Sequence, residues 1–170
     1  MDEEKINKLP PDVKKQFLKL GLKLSEKKTK TKVHEDFLSF VKHVWPEFIE
    51  GKHHKEISKK FNDIANKKIK RLIINMPPRH TKSEFASFLL PAWMVGRKPN
   101  LKIIQTTHTT ELAIRFGRKA KTLMDSQEYK EVFKTRLRED SQAAGKWETE
   151  QGGEYYAAGV GSAITGRGAD

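Results

Sequence analysis

Two consecutive prolines, Pro77-Pro78, stand just after a run of β-type apolar residues, Arg71-Leu72-Ile73-Ile74-Asn75, and just before a segment of helical composition beginning at Lys82. Each proline fixes φ and withholds a backbone N–H, so neither a strand ladder nor a helix runs through the pair. The apolar run is therefore predicted to be a buried strand over 71–75. A helix is predicted beyond the prolines, to about Leu90, with Pro91 bending or ending it. Lys102-Ile103-Ile104-Gln105-Thr106-Thr107 is a second predicted buried strand. Thr109 is placed to cap a following helix that has Glu111 in its first turn, carries Leu112, Ile114, Phe116, Ala120 and Leu123, and ends near Asp125. Strand, helix, strand, helix with connections this short means a βαβ unit, a parallel sheet and an α/β fold.

Upstream, Phe37, Phe40, Val41, Val44 and Trp45 recur at helical spacing and predict an amphipathic helix ending at Pro46. A second helical pattern runs from His54 through Ile57, Phe61, Ile64 and Ala65. Residues 1–33 are dense in lysine around a thin apolar set of Phe17, Leu18, Leu20, Leu22 and Leu24. Gly21 and the stretch 25–32 read as flexible linker, so 1–33 is expected to be a basic flexible segment and 34–170 the folded part. Downstream, residues 138–146 are polar, a hairpin is expected around Gly152-Gly153, and Tyr155 to Val160 is strand-like.

The charge balance narrows the partners. Thirty-four Lys plus Arg against 22 Asp plus Glu leaves a formal net charge of +12 over 170 residues, which favours polyanions: nucleic acid or nucleotide. With no cysteine, a disulfide scaffold, a zinc knuckle and a thiolate nucleophile are excluded. The longest apolar run, Phe85 to Val95, falls short of the roughly 20 residues of a membrane span. The acidic start Met1-Asp2-Glu3-Glu4 has no apolar segment of the kind a secretion signal needs, and a cytoplasmic location is expected.

The chemistry is concentrated in Met76-Pro77-Pro78-Arg79-His80-Thr81-Lys82-Ser83. A phosphate loop needs backbone amides at a helix N-terminus, an ammonium for the β and γ phosphates and a hydroxyl for magnesium. Lys82 and Ser83 supply the last two, but Met76 and Thr81 stand where the usual pattern has glycines. The prolines reduce the flexibility lost on ordering. Thr81 is the obstacle, because its branched Cβ resists positive φ. The alternative for the same residues is an ordinary turn with a solvated Lys82.

Residues 71–84 closely resemble the ATPase motif of tailed-phage large terminase subunits, whose loop usually reads Pro-Pro-Arg-His-Gly-Lys-Ser-Glu. The resemblance continues through Pro91-Ala92-Trp93, Gly96-Arg97-Lys98-Pro99, Arg115-Phe116-Gly117-Arg118, Trp147-Glu148-Thr149, Gly152 to Gly161 and Ile164 to Asp170. It spans about residues 34–170. It implies a P-loop NTPase domain of the additional-strand RecA-like kind, preceded by N-terminal helices and the basic tail. The implied function is that of the ATP-binding part of a motor that couples ATP hydrolysis to translocation of double-stranded viral DNA into a procapsid. Portal protein and small terminase subunit are the implied partners, with homo-oligomers when full length, at the procapsid vertex in the cytoplasm of the infected bacterial host.

Carried over by position, Pro77, Pro78, Arg79, His80, Thr81, Lys82 and Ser83 would bind ATP. Lys82 would meet the β and γ phosphates, Arg79 would contact phosphate, and Ser83 would ligate Mg2+. His53 and His54 are the candidates for the adenine edge; their alternative is a surface or capping role. Arg167 resembles an arginine that acts on a neighbouring subunit's ATP, with a turn arginine flanked by glycines as the alternative. In the family the acidic strand that holds magnesium and activates water follows Gly-Arg-Gly-Ala-Asp, so the expectation is an N-terminal part of a terminase that lacks that strand and the nuclease domain. Little ATP turnover is then expected of this chain alone. From a different class, a basic DNA-binding module that has lost nucleotide chemistry remains open. Trp45, Trp93, Trp147, Tyr155 and Tyr156 read as core, Glu148, Glu150 and Glu154 as solvated carboxylates, and His108 stands where parallel sheets place functional loops.

Overall fold

A computed structural model describes residues 10–170. Helix α1 (Pro11–Glu35) opens with proline in its first turn, the one place where a missing N–H costs nothing. Lysine, leucine and glutamate are good helix formers, and the Thr29 and Thr31 hydroxyls donate to the carbonyls of Ser25 and Lys27 one turn back. The predicted linker over 25–32 is therefore helical, and the boundary near residue 33 falls inside a helix. Val33 is buried, and its carbonyl accepts from Trp93 Nε1 at 3.3 Å. The part of the basic tail before residue 10 lies outside the described residues.

Helices α2 (Phe37–Val44) and α3 (Lys52–Ala65) follow, close to where periodicity puts them. Asp36 caps α2 by accepting from the Ser39 N–H at 2.8 Å. Asn62 on α3 donates to Asp36 and accepts from the Phe37 N–H, which ties the two helices together at polar groups that would otherwise be orphaned. Next, α4 (Lys82–Glu84), a π-helical stretch (Phe85–Leu89) and α5 (Leu90–Arg97) are contiguous. Of the two outcomes expected at Pro91, a bend or an end, the end does not occur, and the helix runs on to Arg97. The π turn, in which the Leu90 N–H reaches back to the Phe85 carbonyl, loosens the spacing just where the proline ring would crowd the preceding turn.

Strand β1 (Lys102–Thr107) is followed by α6 (Thr110–Asp125), α7 (Gln127–Val132), β2 (Leu137–Ala143), β3 (Lys146–Thr149) and β4 (Glu154–Gly159). The sheet order is β1-β4-β3-β2, with β1 parallel to β4 and the other two pairs antiparallel. The fold is thus mixed α/β, with an open, mixed sheet rather than an all-parallel one. Thr109 caps α6 as expected, and β3 and β4 form the expected hairpin.

The predicted strand at 71–75 is the main departure. The segment is extended, but it joins no ladder among the described residues, and its alternate side chains lie open, Ile73 being 86% exposed. An apolar run becomes a strand only where a partner edge receives its N–H and C=O groups. Among the described residues, the β1 edge facing away from β4 carries no strand. Its first residue, Lys102, exchanges two hydrogen bonds with Asp170, each 3.0 Å.

The core runs from the helices to the sheet. Phe37 packs edge-on against Phe61, Phe85 and Trp93, with ring centroids 5.1 to 5.5 Å apart. Trp147 stacks on Tyr155 at 4.7 Å and donates to the Gly117 carbonyl of α6. Trp93, Trp147 and Tyr155 are fully buried, the core role expected of them.

Candidate nucleotide site

Between the extended segment and α4 the chain makes a tight loop with two left-handed residues, Arg79 at φ 64° and Thr81 at φ 59°. Neither is glycine, and each such conformation costs an L-residue about 1–2 kcal/mol, more for a branched side chain. The obstacle expected at Thr81 is therefore overcome rather than avoided. In general, a left-handed residue beside a right-handed one can turn successive backbone N–H groups toward a common side, which is how an anion-binding nest is built. The loop empties directly into the helix, whose first turn closes when the Phe85 N–H donates to the Thr81 carbonyl at 2.9 Å.

Thr81 is held at three points. Its hydroxyl donates to the His80 carbonyl at 2.6 Å, lies 2.7 Å from His54 Nε2, and its carbonyl takes the Phe85 N–H. His54 is buried in the first turn of α3 against Phe48 and Phe85, with ring centroids at 4.8 and 5.1 Å. Its Nδ1 accepts the Gly51 N–H at 2.8 Å, so it caps its own helix. Burial, then the neighbouring His53 and His80, lower its pKa below the ordinary value, against an opposing pull from Glu50. Glu50 is itself ion-paired with Lys42 and Lys55, whose hydrogen bonds draw its carboxyl down to about 2.

The remaining predicted residues fall into three places. Pro77, Pro78, Arg79 and His80 are exposed along the loop, where His80 Nδ1 lies 2.9 Å from the Pro78 carbonyl. Lys82 is half-buried, its ammonium donating to the Met76 carbonyl at 3.3 Å across the loop it is expected to serve, and Ser83 is exposed beside it. His53 is exposed and packs on both His54 and His80, at 3.8 and 5.8 Å between centroids. The loop thus gathers His53, His54, Arg79, His80, Thr81, Lys82 and Ser83 in one neighbourhood.

Arg167 is elsewhere. It donates to Glu154 at 2.6 Å and lies 3.8 Å above the Tyr156 ring, at the end of the sheet where β1 and β4 begin. His108, exposed, follows the other end of β1. The apolar recess of about 350 Å3 formed by Ile64, Ala65, Ile69, Met94, Leu101 and Asp170 shares no residue with the loop.

Of the loop's two hydroxyls, that of Thr81 is engaged by His80 and His54, which leaves Ser83 for Mg2+. Glu84, the nearest carboxylate in sequence, is committed to Lys119 at 2.7 Å. Among the described residues, no three acidic or histidine side chains converge as a metal cage. This donor set suits an ion that arrives with its phosphates and keeps most of its water, as magnesium does, and not a resident all-protein site.

Compared with family models, curated protein sequences and solved structures, the chain gives no match. No helix among the described residues is long and apolar enough to cross a membrane.

The His54–Thr81 contact is what sequence reasoning missed. The residues are 27 positions apart, and tertiary packing, which also sets His54 against Phe85, brings them together. The one available signal was Thr81 itself: a branched residue at a position wanting glycine calls for a compensating partner.

Proposed function

We propose that the chain is the ATP-binding part of a viral DNA-packaging motor of the terminase type, taking ATP with Mg2+ in a P-loop NTPase site at residues 77–83. The observation that carries this reading is the paired left-handed conformation of Arg79 and Thr81 directly before a helix that begins with Lys82 and Ser83. Left-handed residues here are costly, and the strain has a use if the loop's amides must converge on an anion. Lys82, now on the Met76 carbonyl, would exchange that weak contact for the β and γ phosphates, and Ser83 would give magnesium its one protein oxygen. Arg79 would add a charge-assisted contact to phosphate. His53 keeps the adenine-edge role, whereas both ring nitrogens of His54 are already engaged. Arg167 would have to leave Glu154 before acting on a neighbouring subunit's nucleotide.

Double-stranded DNA is the proposed substrate, with portal protein, small subunit and further copies of the chain as partners. The test is an equilibrium titration with Mg-ATP beside Lys82→Ala: the variant is expected to lose binding, and equal affinity in a folded variant would sink the assignment.

One observation favours the second reading, a DNA-binding module. Helix α1 holds Lys15, Lys19, Lys23, Lys27, Lys28, Lys30 and Lys32 exposed on a regular scaffold, suited to a row of phosphates.

A further inference from the structure

We propose that His54 is a positioning residue for the phosphate loop: through its Nε2–H it clamps Thr81 in the left-handed conformation that a glycine would adopt unaided. The clamp rests on the nucleotide reading for its purpose, but its geometry can be judged without nucleotide.

The direction of the hydrogen bond between His54 and Thr81 follows from one donor. The Gly51 N–H can only donate, so His54 Nδ1 carries no proton. The ring proton of neutral imidazole then sits on Nε2, which donates to Thr81 Oγ1 at 2.7 Å. Thr81 passes its own proton on to the His80 carbonyl at 2.6 Å. Backbone of α3's first turn, imidazole, hydroxyl and loop backbone thus form one relay with each donor matched to one acceptor. Phe48 and Phe85, themselves in contact at 5.5 Å, pack together against the ring and bury it. The relay gives threonine what glycine cannot have, a side-chain anchor on both sides of the strained residue. It also explains why a buried histidine stands 27 positions before the loop.

Three variants on the full chain test this: His54→Phe, which keeps the packed ring and removes both nitrogens; Thr81→Gly, which removes the need for the clamp; and the double substitution. Two readouts are taken, the Mg-ATP dissociation constant and, without nucleotide, side-chain 15N shifts of His54 with amide exchange at Phe85, whose N–H is hydrogen-bonded to the Thr81 carbonyl. The 15N shifts are expected to report a protonated Nε2 and a bare Nδ1. His54→Phe is expected to weaken Mg-ATP about tenfold and to speed amide exchange in the Thr81 background, and to change either less than twofold in the Thr81→Gly background. Equal losses in both backgrounds, no loss in either, or the opposite tautomer would overturn the clamp. If the unaltered chain does not bind Mg-ATP, the nucleotide reading fails by itself. The exchange data then decide the clamp: restored protection in the double variant supports it, and unchanged protection in His54→Phe refutes it. Should His54→Phe not fold, His54→Gln stands in, since its amide can accept from Gly51 and donate to Thr81. Retained loop protection with His54→Gln supports the clamp, and loss equal to that of His54→Ala counts against it.

Discussion

Tyr129 and Tyr155 are both fully buried, yet only Tyr129 has a partner for its hydroxyl: it donates to the Ala92 carbonyl at 2.8 Å, whereas the Tyr155 hydroxyl has none. Burial pushes both phenols up, away from ionisation. Tyr129→Phe is expected to cost about 1 kcal/mol, or roughly 2–4 °C of melting temperature in a chain this size. Tyr155→Phe removes an unpaired polar atom while keeping the stack on Trp147. It should stay within about 0.5 kcal/mol of the parent or gain; paired denaturant melts check both.

Histidines set a second residue-scale expectation. His34 is lowered by burial and then by Arg97, and His54 by burial and then by its neighbouring histidines. In both, the folded state holds a proton less readily than the unfolded chain, so protonation favours unfolding. Their contribution is fully present above the ordinary histidine pKa near 6.5 and is lost as the pH falls through their lowered values. Melting temperature should drop between pH 7.5 and 5.5, and His54→Phe should flatten that drop; an unchanged slope would remove His54 from the account.

At the scale of elements, close approach decides where glycine is needed. A Cβ on Gly117 would sit 2.4 Å from the Ala144 carbonyl and 2.7 Å from the Tyr155 ring, so α6 meets the sheet backbone to backbone. Gly117→Ala must push helix and hairpin apart, at about 1–3 kcal/mol. Gly21 in α1 has nothing within 4 Å, and Gly21→Ala should add about 0.5–1 kcal/mol of local helix stability, read as increased ellipticity at 222 nm with no drop in the main melting transition. The two substitutions are the same chemically and opposite in sign because one glycine is a contact and the other is only an interruption. Elements with strong periodicity, α2, α3 and α6, the last with its Thr109 cap, were legible from the residues alone. The segment 71–75 was not, because an apolar run states that it wants burial and cannot state whether a neighbouring edge is there to receive it. That the helix does not end at Pro91 has a related reason: a proline forbids a regular turn but tolerates a widened one.

For the whole molecule, charge and shape separate. The net charge of +12 is a property of composition, but its presentation depends on α1 being a 25-residue helix with a line of exposed lysines. If α1 contacts DNA, affinity should fall steeply with salt. Changing Lys23, Lys27 and Lys30 to glutamine should weaken all sequences alike and shrink the magnitude of the salt slope by up to about 3, which a titration at several ionic strengths reads directly. An unchanged slope would place the DNA contacts elsewhere or nowhere on this chain.

By itself the sequence determined the α/β class, the helices with periodic apolar faces, the β3–β4 hairpin and the place where a phosphate loop would lie, since each is written in spacings of a few residues. Tertiary structure decided the rest. It put β1 beside β4 and left 71–75 outside the sheet, it carried the helix through Pro91, and it tied Arg167 to Glu154. It also set His54 against Thr81, giving a branched residue the partner that lets it hold a glycine's conformation. Those outcomes depend on pairing partners and packed neighbours far apart in the chain, which no local pattern encodes.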